Sequence, residues 1–226
     1  MYVASFDIGK CNFACYVEKF EEEELLALKN IPKIQRYNAT DGSSTEQFAE
    51  LMQNVYTNGS TVFYKNMDLT VGTNKSKYLD KKIYVNMINA LDEHKEVFDK
   101  CSIIVIEQQM SFKAAQNTMA LKLGQHCYSY FLFRYGETKE IIEFPAYYKT
   151  QILGAPKVSS NNGKLKAMSK PDRKKWAVEK AGDILLNRGD LVTLEEFSSK
   201  RKRDDLADVL IQLQSFKYLR YVDKSL

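Results

Sequence analysis

Five acids stand out by position. Asp7 closes the apolar run YVASFDI at the start of the chain, and Glu107 closes a second, CSIIVIE. Far downstream, RKRDDLADVLIQLQ carries Asp204, Asp205 and Asp208. Its apolar residues Leu206, Val209, Leu210 and Leu213 recur at helical spacing. Asp205 and Asp208, three apart, share a helix face, and so can Asp204 and Asp208, four apart. Clustered carboxylates repel, and buried ones cost several kcal/mol unless a cation compensates them. Hard oxygen ligands suit Mg²⁺, with Mn²⁺ as a substitute. Two such ions can activate water and stabilise the leaving oxygen in phosphodiester hydrolysis. The plainer readings are a turn-forming Asp7 and helix-dipole compensation by Asp204 and Asp205. Asp208 lies too far into the helix for the latter.

Asp7 also has a rival use. The opening D-I-G-x-x-N resembles the first phosphate loop of the actin-like ATPases. Those proteins need a second Asp-x-Gly after an apolar strand, and this sequence has none. Cys11, Cys15, Cys101 and Cys127 lie in or beside apolar runs, which favours reduced core thiols over a Cys/His metal site.

The elements that must hold the acids follow from the patterning. Residues 2–8 and 12–19 read as a strand pair joined by a short glycine-containing link. Residues 44–55 have helical spacing, and 61–69 reads as a strand. A helix is predicted over 82–98, a buried strand over 101–107, a helix over 112–132 and a strand over 139–144. A short helix is predicted over 146–153, a polar loop over 158–175, then helices over 172–187 and from Asp204 to about 221. Strands interleaved with helices predict an α/β fold with a mixed sheet. With Asp7 and Glu107 on parallel neighbours, the two carboxylates fall side by side at the strand ends, where sites form in open α/β sheets.

The 226 residues suit one domain, with an insertion or elaborated outer-strand region at about 21–80. A strand begins almost at the first residue, so no signal or transit peptide is expected, and no apolar run has membrane-spanning length. Net charge is only +4, but its distribution is uneven. KVSSNNGKLKAMSKPDRKKW is strongly basic, and SSKRKR sets four cations just before the acidic helix. Basic runs are commonly solvated surface. Beside clustered carboxylates they suit a polyanion that must approach a metal site, with affinity from phosphate neutralisation. KRKR also reads as a nuclear localisation signal. The aromatic run YSYFLFRY (128–135) is denser than one helix face needs and suggests an interface.

With the acids in place, the chain resembles the RuvC-like Holliday junction resolvases of the RNase H-like superfamily, in the form carried by poxviruses and other large DNA viruses. The resemblance runs through FDIG (6–9), IVIEQ (104–108), FKAAQNTMALKLGQ (112–125), the lysine region 149–175 and DDLAD (204–208). It implies an RNase H-like mixed five-stranded sheet with flanking helices. It also implies a metal-dependent endonuclease that makes paired symmetric nicks in four-way DNA junctions and branched DNA. Asp7, Glu107, Asp205 and Asp208 correspond to the family's tetrad holding two Mg²⁺, Asp204 being the alternative for the third position. Lys149 and Lys175 correspond to its basic residues near the scissile phosphate, with Lys174 equally placed for the second. Phe112 corresponds to its aromatic wedge. DNA contacts are then expected from Lys149, Lys164, Lys166, Arg173, Lys174, Lys175, Arg201, Lys202 and Arg203. Two matched cuts in a nearly two-fold junction suit a C2 homodimer, and the resemblance implies a cytoplasmic viral setting. Other RNase H-like nucleases, for hybrids or flaps, share the same acids. A non-catalytic junction-binding protein is the remaining alternative.

Overall fold

The computed structural model describes residues 1–73, 78–109, 117–159 and 164–226. Along the chain come β1 (Tyr2–Asp7), β2 (Phe13–Lys19), α1 (Glu22–Ala27), α2 (Glu46–Thr57) and β3 (Ser60–Met67). Then follow α3 (Lys81–Glu93), α4 (Lys95–Asp99), β4 (Ile103–Gln108), α5 (Thr118–Tyr135), β5 (Glu140–Pro145) and α6 (Tyr148–Ile152). The chain continues through β6 (Lys157–Ser159), β7 (Leu165–Ala167), α7 (Lys170–Asn187), α8 (Leu191–Ser199) and α9 (Asp204–Lys217). It divides into two compact units, Met1–Lys19 with Thr61–Ala146 and Phe20–Ser60 with Tyr147–Leu226.

The first unit holds a five-stranded sheet of order β3-β2-β1-β4-β5. β1 and β2 are antiparallel, whereas β4 runs parallel to both β1 and β5. The mixed α/β sheet is that of the RNase H-like fold expected from the sequence. The β-branched run of β4 is buried along most of its length, as suits an interior parallel strand. One sheet face carries Ala4, Phe6, Ile104 and Ile106 into a core with Met87 and Leu91 of α3, Phe98 of α4 and Phe131 of α5. The Phe6 ring stands 5.3–5.6 Å from those of Phe13, Phe98 and Phe131. The helix expected over 82–98 breaks at His94, whose imidazole lies 2.9 Å from the Lys65 ammonium and packs on the Phe63 ring.

Polar side chains cap the starts of five helices. Thr45, Asp80, Asn117, Ser169 and Asp190 accept backbone N–H groups at the starts of α2, α3, α5, α7 and α8. Helix α1, the β6–β7 pair and α8 were not foreseen. The loop expected over 158–175 contains the antiparallel β6–β7 pair, whose exposed strands, three residues each, are too short to show a periodicity. The short helix α8 follows the Asp190 cap. Three of the cysteines are core residues as expected, but Cys11 is exposed in the β1–β2 turn; none is in a disulfide. Burial pushes the Cys101 thiol up to about 12, so it stays protonated.

In the second unit α9 packs on α7 and α6. Lys217, fully buried, donates to the carbonyls of Val55 (2.8 Å) and Asn58, so its ammonium caps the end of α2. Its charge also faces the Phe20 ring. Lys217→Met should therefore cost about 2–4 kcal/mol by leaving buried carbonyls unsatisfied. Urea unfolding with an unchanged m-value checks it.

Candidate active site

In the first unit the β1–β4 register pairs Val3 with Ile103 and Phe6 with Ile106, so Asp7 and Glu107 are the next pair. Phe6 and Ile106 point into the core, and strand alternation turns Asp7 and Glu107 to the opposite face. Both are partly exposed. The parallel neighbours expected from sequence thus set two carboxylates abreast at the carboxyl ends of their strands. Gly9 closes the turn behind Asp7: a Cβ there would meet the Asn12 carbonyl at 2.8 Å.

In the second unit the acids of α9 each meet a lysine. Lys174, in the first turns of α7, pairs with Asp204. Lys202 pairs with Asp205 at 2.6 Å, and Lys149 of α6 lies 3.5 Å from Asp208. Leu206, Ala207, Val209 and Leu210 are buried, so the three aspartates share the partly exposed edge. Partial burial alone would raise the Asp204 carboxyl. The Lys174 hydrogen bond and charge, with Lys202, outweigh it and hold that carboxyl below its ordinary value. Asp204, in turn, raises the Lys174 ammonium. Asp204 and Asp205 open the helix, where the dipole favours acids, but Asp208 is a turn further in. Lys149 is buried to 6 % exposure, and an ammonium so placed needs an anion.

The remaining basic residues fall into two groups. Lys164 and Lys166 are exposed at β7, with Arg173 at the start of α7. Arg201, Lys202 and Arg203 form the approach to α9, where Arg203 stacks over Phe197 at 5.8 Å. Lys175 is set apart from the aspartates, 78 % exposed and 3.8 Å from Glu179. Lys174 rather than Lys175 is the one that meets α9. Phe112 lies outside the described residues. Lys157, at the root of the unforeseen hairpin, extends the basic surface.

Among the described residues no three His, Cys, Asp or Glu side chains are gathered so as to hold a metal ion by themselves. The acids come as Asp7 with Glu107 in one unit and as the α9 row in the other. The donor chemistry nevertheless fits a hard divalent cation, since every candidate ligand is a carboxylate. The ammonium groups of Lys149, Lys174 and Lys202 already act as counter-cations to the α9 row.

No family model matches the sequence. The uncharacterized protein 170L of Invertebrate iridescent virus 6 is 36 % identical over 239 aligned residues, covering 99 % of this chain and 92 % of its own. The uncharacterized protein 97L of Invertebrate iridescent virus 3 is 28 % identical, covering 95 % of this chain and 98 % of its own. Among solved structures, the fowlpox virus resolvase in complex with Holliday junction DNA superposes with a TM-score of 0.54 at 13 % identity. That match covers 96 % of this chain and 97 % of the fowlpox protein. RuvC of Thermus thermophilus gives 0.51 at 15 % identity, over 97 % and 96 % of the two chains. No helix among the described residues is long and apolar enough to cross a membrane. The chain belongs to the family of the iridescent virus proteins 170L and 97L, and its fold is that of the RuvC-like Holliday junction resolvases.

Proposed function

We propose that the protein is a Holliday junction resolvase: an endonuclease that cuts four-way DNA junctions by paired symmetric nicks during recombination or viral genome resolution. The observation that carries this reading is the β1–β4 register, which sets Asp7 and Glu107 abreast at parallel strand ends. The ligands in this reading are Asp7 and Glu107 of the first unit and Asp205 and Asp208 of the second. Two Mg²⁺ ions, or Mn²⁺ in their place, would supply an activated water and charge stabilisation for the leaving oxygen. Lys149 holds a fixed positive charge beside Asp208 for the scissile phosphate. Lys174 is better placed than Lys175 for the same work, because it already meets the acids. Water adds to phosphorus and the P–O3′ bond breaks, leaving a 5′-phosphate and a 3′-hydroxyl. Lys164, Lys166, Arg173, Lys175, Arg201, Lys202 and Arg203 would neutralise backbone phosphates. A cytoplasmic viral setting accords with the viral relatives.

Cleavage of end-labelled four-way junctions with and without Mg²⁺, beside duplex, flap and RNA–DNA hybrid, tests the reading. Paired nicks confined to the junction are expected. Cutting of the hybrid or flap instead would make it another RNase H-like nuclease. Junction binding without turnover would make it a binding protein.

A junction has near two-fold symmetry, so two matched cuts suit a C2 homodimer. The end of α5 supplies a surface for it, with Phe133 88 % exposed beside half-exposed Leu132. Phe133→Asp should shift sedimentation from dimer to monomer and unlink the two nicks. A wild-type monomer that still cuts both strands would remove the dimer.

A further inference from the structure

A cavity of about 450 Å³ lies in the second unit, apart from the α9 acids. Tyr37, Tyr147, Thr150, Gln151, Lys157 and Arg173 line it, together with small and apolar residues. Its volume is in the range of pockets that take one small molecule, about 300–1,000 Å³. Among the described residues that line it none is acidic, so Lys157 and Arg173 give it a positive mouth.

The walls are fixed by the segment 37–44, part of the region to which sequence assigned no role. Tyr37 bridges to Ser44, and its hydroxyl donates to the Ile152 carbonyl at 3.2 Å. Burial holds that hydroxyl protonated by raising its pKa to about 12. The Lys157 N–H donates to the Asp41 carbonyl at 2.6 Å, tying this segment to the root of the β6–β7 hairpin. Gly154 completes the seam. A Cβ there would meet the Ser44 nitrogen at 2.8 Å, and its positive φ is strained for other residues. Tyr37 is thus a fixed ring, packed edge-on against Phe48. Tyr147 is exposed over nearly half its surface, with its own ring 4.5 Å from that of Tyr148.

We infer that this cavity holds one nucleotide of a DNA strand, turned out of the base stack. The tyrosine rings supply stacking surfaces, Thr150 and Gln151 supply hydrogen-bonding groups for a base edge, and Lys157 and Arg173 supply charge for the flanking phosphates. Base stacking on aromatic side chains accepts any base, whereas a Gln or Thr beside the ring distinguishes base edges. The site therefore gives the protein a sequence preference near the cut. The inference rests on the DNA reading above; it shares Arg173 with it, and the other lining residues are its own.

Photo-cross-linking tests it. 5-Iododeoxyuridine is placed at successive positions around the crossover of a four-way junction, and cross-linked residues are mapped by mass spectrometry. The expected result is a cross-link to Tyr147 or Tyr37 from one position only. It should fall at least tenfold in Tyr147→Ala and in Lys157→Ala with Arg173→Ala, and persist in Tyr147→Phe. Cross-links confined to residues outside the cavity, or spread evenly over positions, would overturn it. Loss of the signal to an equal concentration of free deoxynucleoside monophosphate would overturn the assignment to a strand. Cutting of the same junctions in Mg²⁺ is scored in parallel. The mapped cross-link without cutting removes the nuclease reading alone, and cutting without the cross-link removes the cavity alone.

Discussion

Asp208→Asn is expected to lower junction cutting more than about 100-fold. Disturbing residues that merely orient a metal ligand costs 10–100-fold, and loss of a ligand should exceed that. The exchange keeps size and polarity while removing the anionic oxygen that faces Lys149 at 3.5 Å. Junction affinity in EDTA should stay within about threefold, since phosphate contacts come from the basic elements. A melting curve close to wild type would show that Lys149 remains accommodated. Asp7→Asn and Glu107→Gln should behave alike, because the register sets them abreast. Normal cutting by Asp208→Asn would place the chemistry elsewhere. The neighbouring Asp204→Asn and Asp205→Asn decide the third ligand: the one that retains cutting is the helix-end acid paired with its lysine for stability alone.

The largest stability effect is expected at the Arg36–Asp223 ion pair. Both side chains are almost wholly buried, at 5 % and 7 % exposure, and the guanidinium faces the rings of Phe48 and Tyr218 at 6.0 and 5.4 Å. Asn30 donates to the same Asp223 oxygen, and the Ser225 hydroxyl donates to the other at 2.6 Å. Asp223→Ala strands a buried cation and should cost about 3–5 kcal/mol. For a chain of this size that lowers Tm by about 6–20 °C. Arg36→Met with Asp223→Leu should recover much of the loss, because well-packed apolar pairs often match buried ion pairs. A double variant no better than Asp223→Ala would locate the effect in the Asn30 and Ser225 bonds instead. The pair also gives stability a pH dependence of defined sign. Burial alone would raise the Asp223 carboxyl, but the bonds from Ser225, Arg36 and Asn30 prevail and hold it below its ordinary 3.8. Its folded value is therefore below its unfolded one. The stabilisation is complete above the unfolded value and is lost as pH falls through the folded one. Acid unfolding of Asp223→Ala should show a correspondingly shallower slope there.

The acids were legible because each ends an element of strong periodicity. Asp7 and Glu107 close buried strands, and the alternation that buries Phe6 and Ile106 fixes where they point. Asp208 stood out because it lies too far into the helix to serve the dipole and is flanked by the apolar Ala207 and Val209. The lysines were less legible, since partner choice depends on tertiary placement. Lys174 and Lys175 are adjacent in sequence, yet helix geometry sends one to Asp204 and the other to Glu179. The β6–β7 pair escaped notice because three-residue strands are too short for a period to show amid polar residues. The wall formed by 37–44 rests on backbone bonds and on close contact at Gly154, and neither leaves a compositional trace.

The ion pair at Asp223 has a consequence for how the chain is made. Arg36 and Asp223 are 187 positions apart, and Lys217 reaches back 162 positions to Val55. The segment 20–60 is thus synthesised long before the strand of chain that completes its unit. Until residues 204–217 emerge, Phe48, Leu51 and Val55 of α2 have no α9 to pack on. Such long-range closure slows folding and prolongs exposure of apolar surface to aggregation. Loss of the segment 223–226 alone removes Asp223 and Ser225, and so leaves a polypeptide that cannot lock its earliest helices in place.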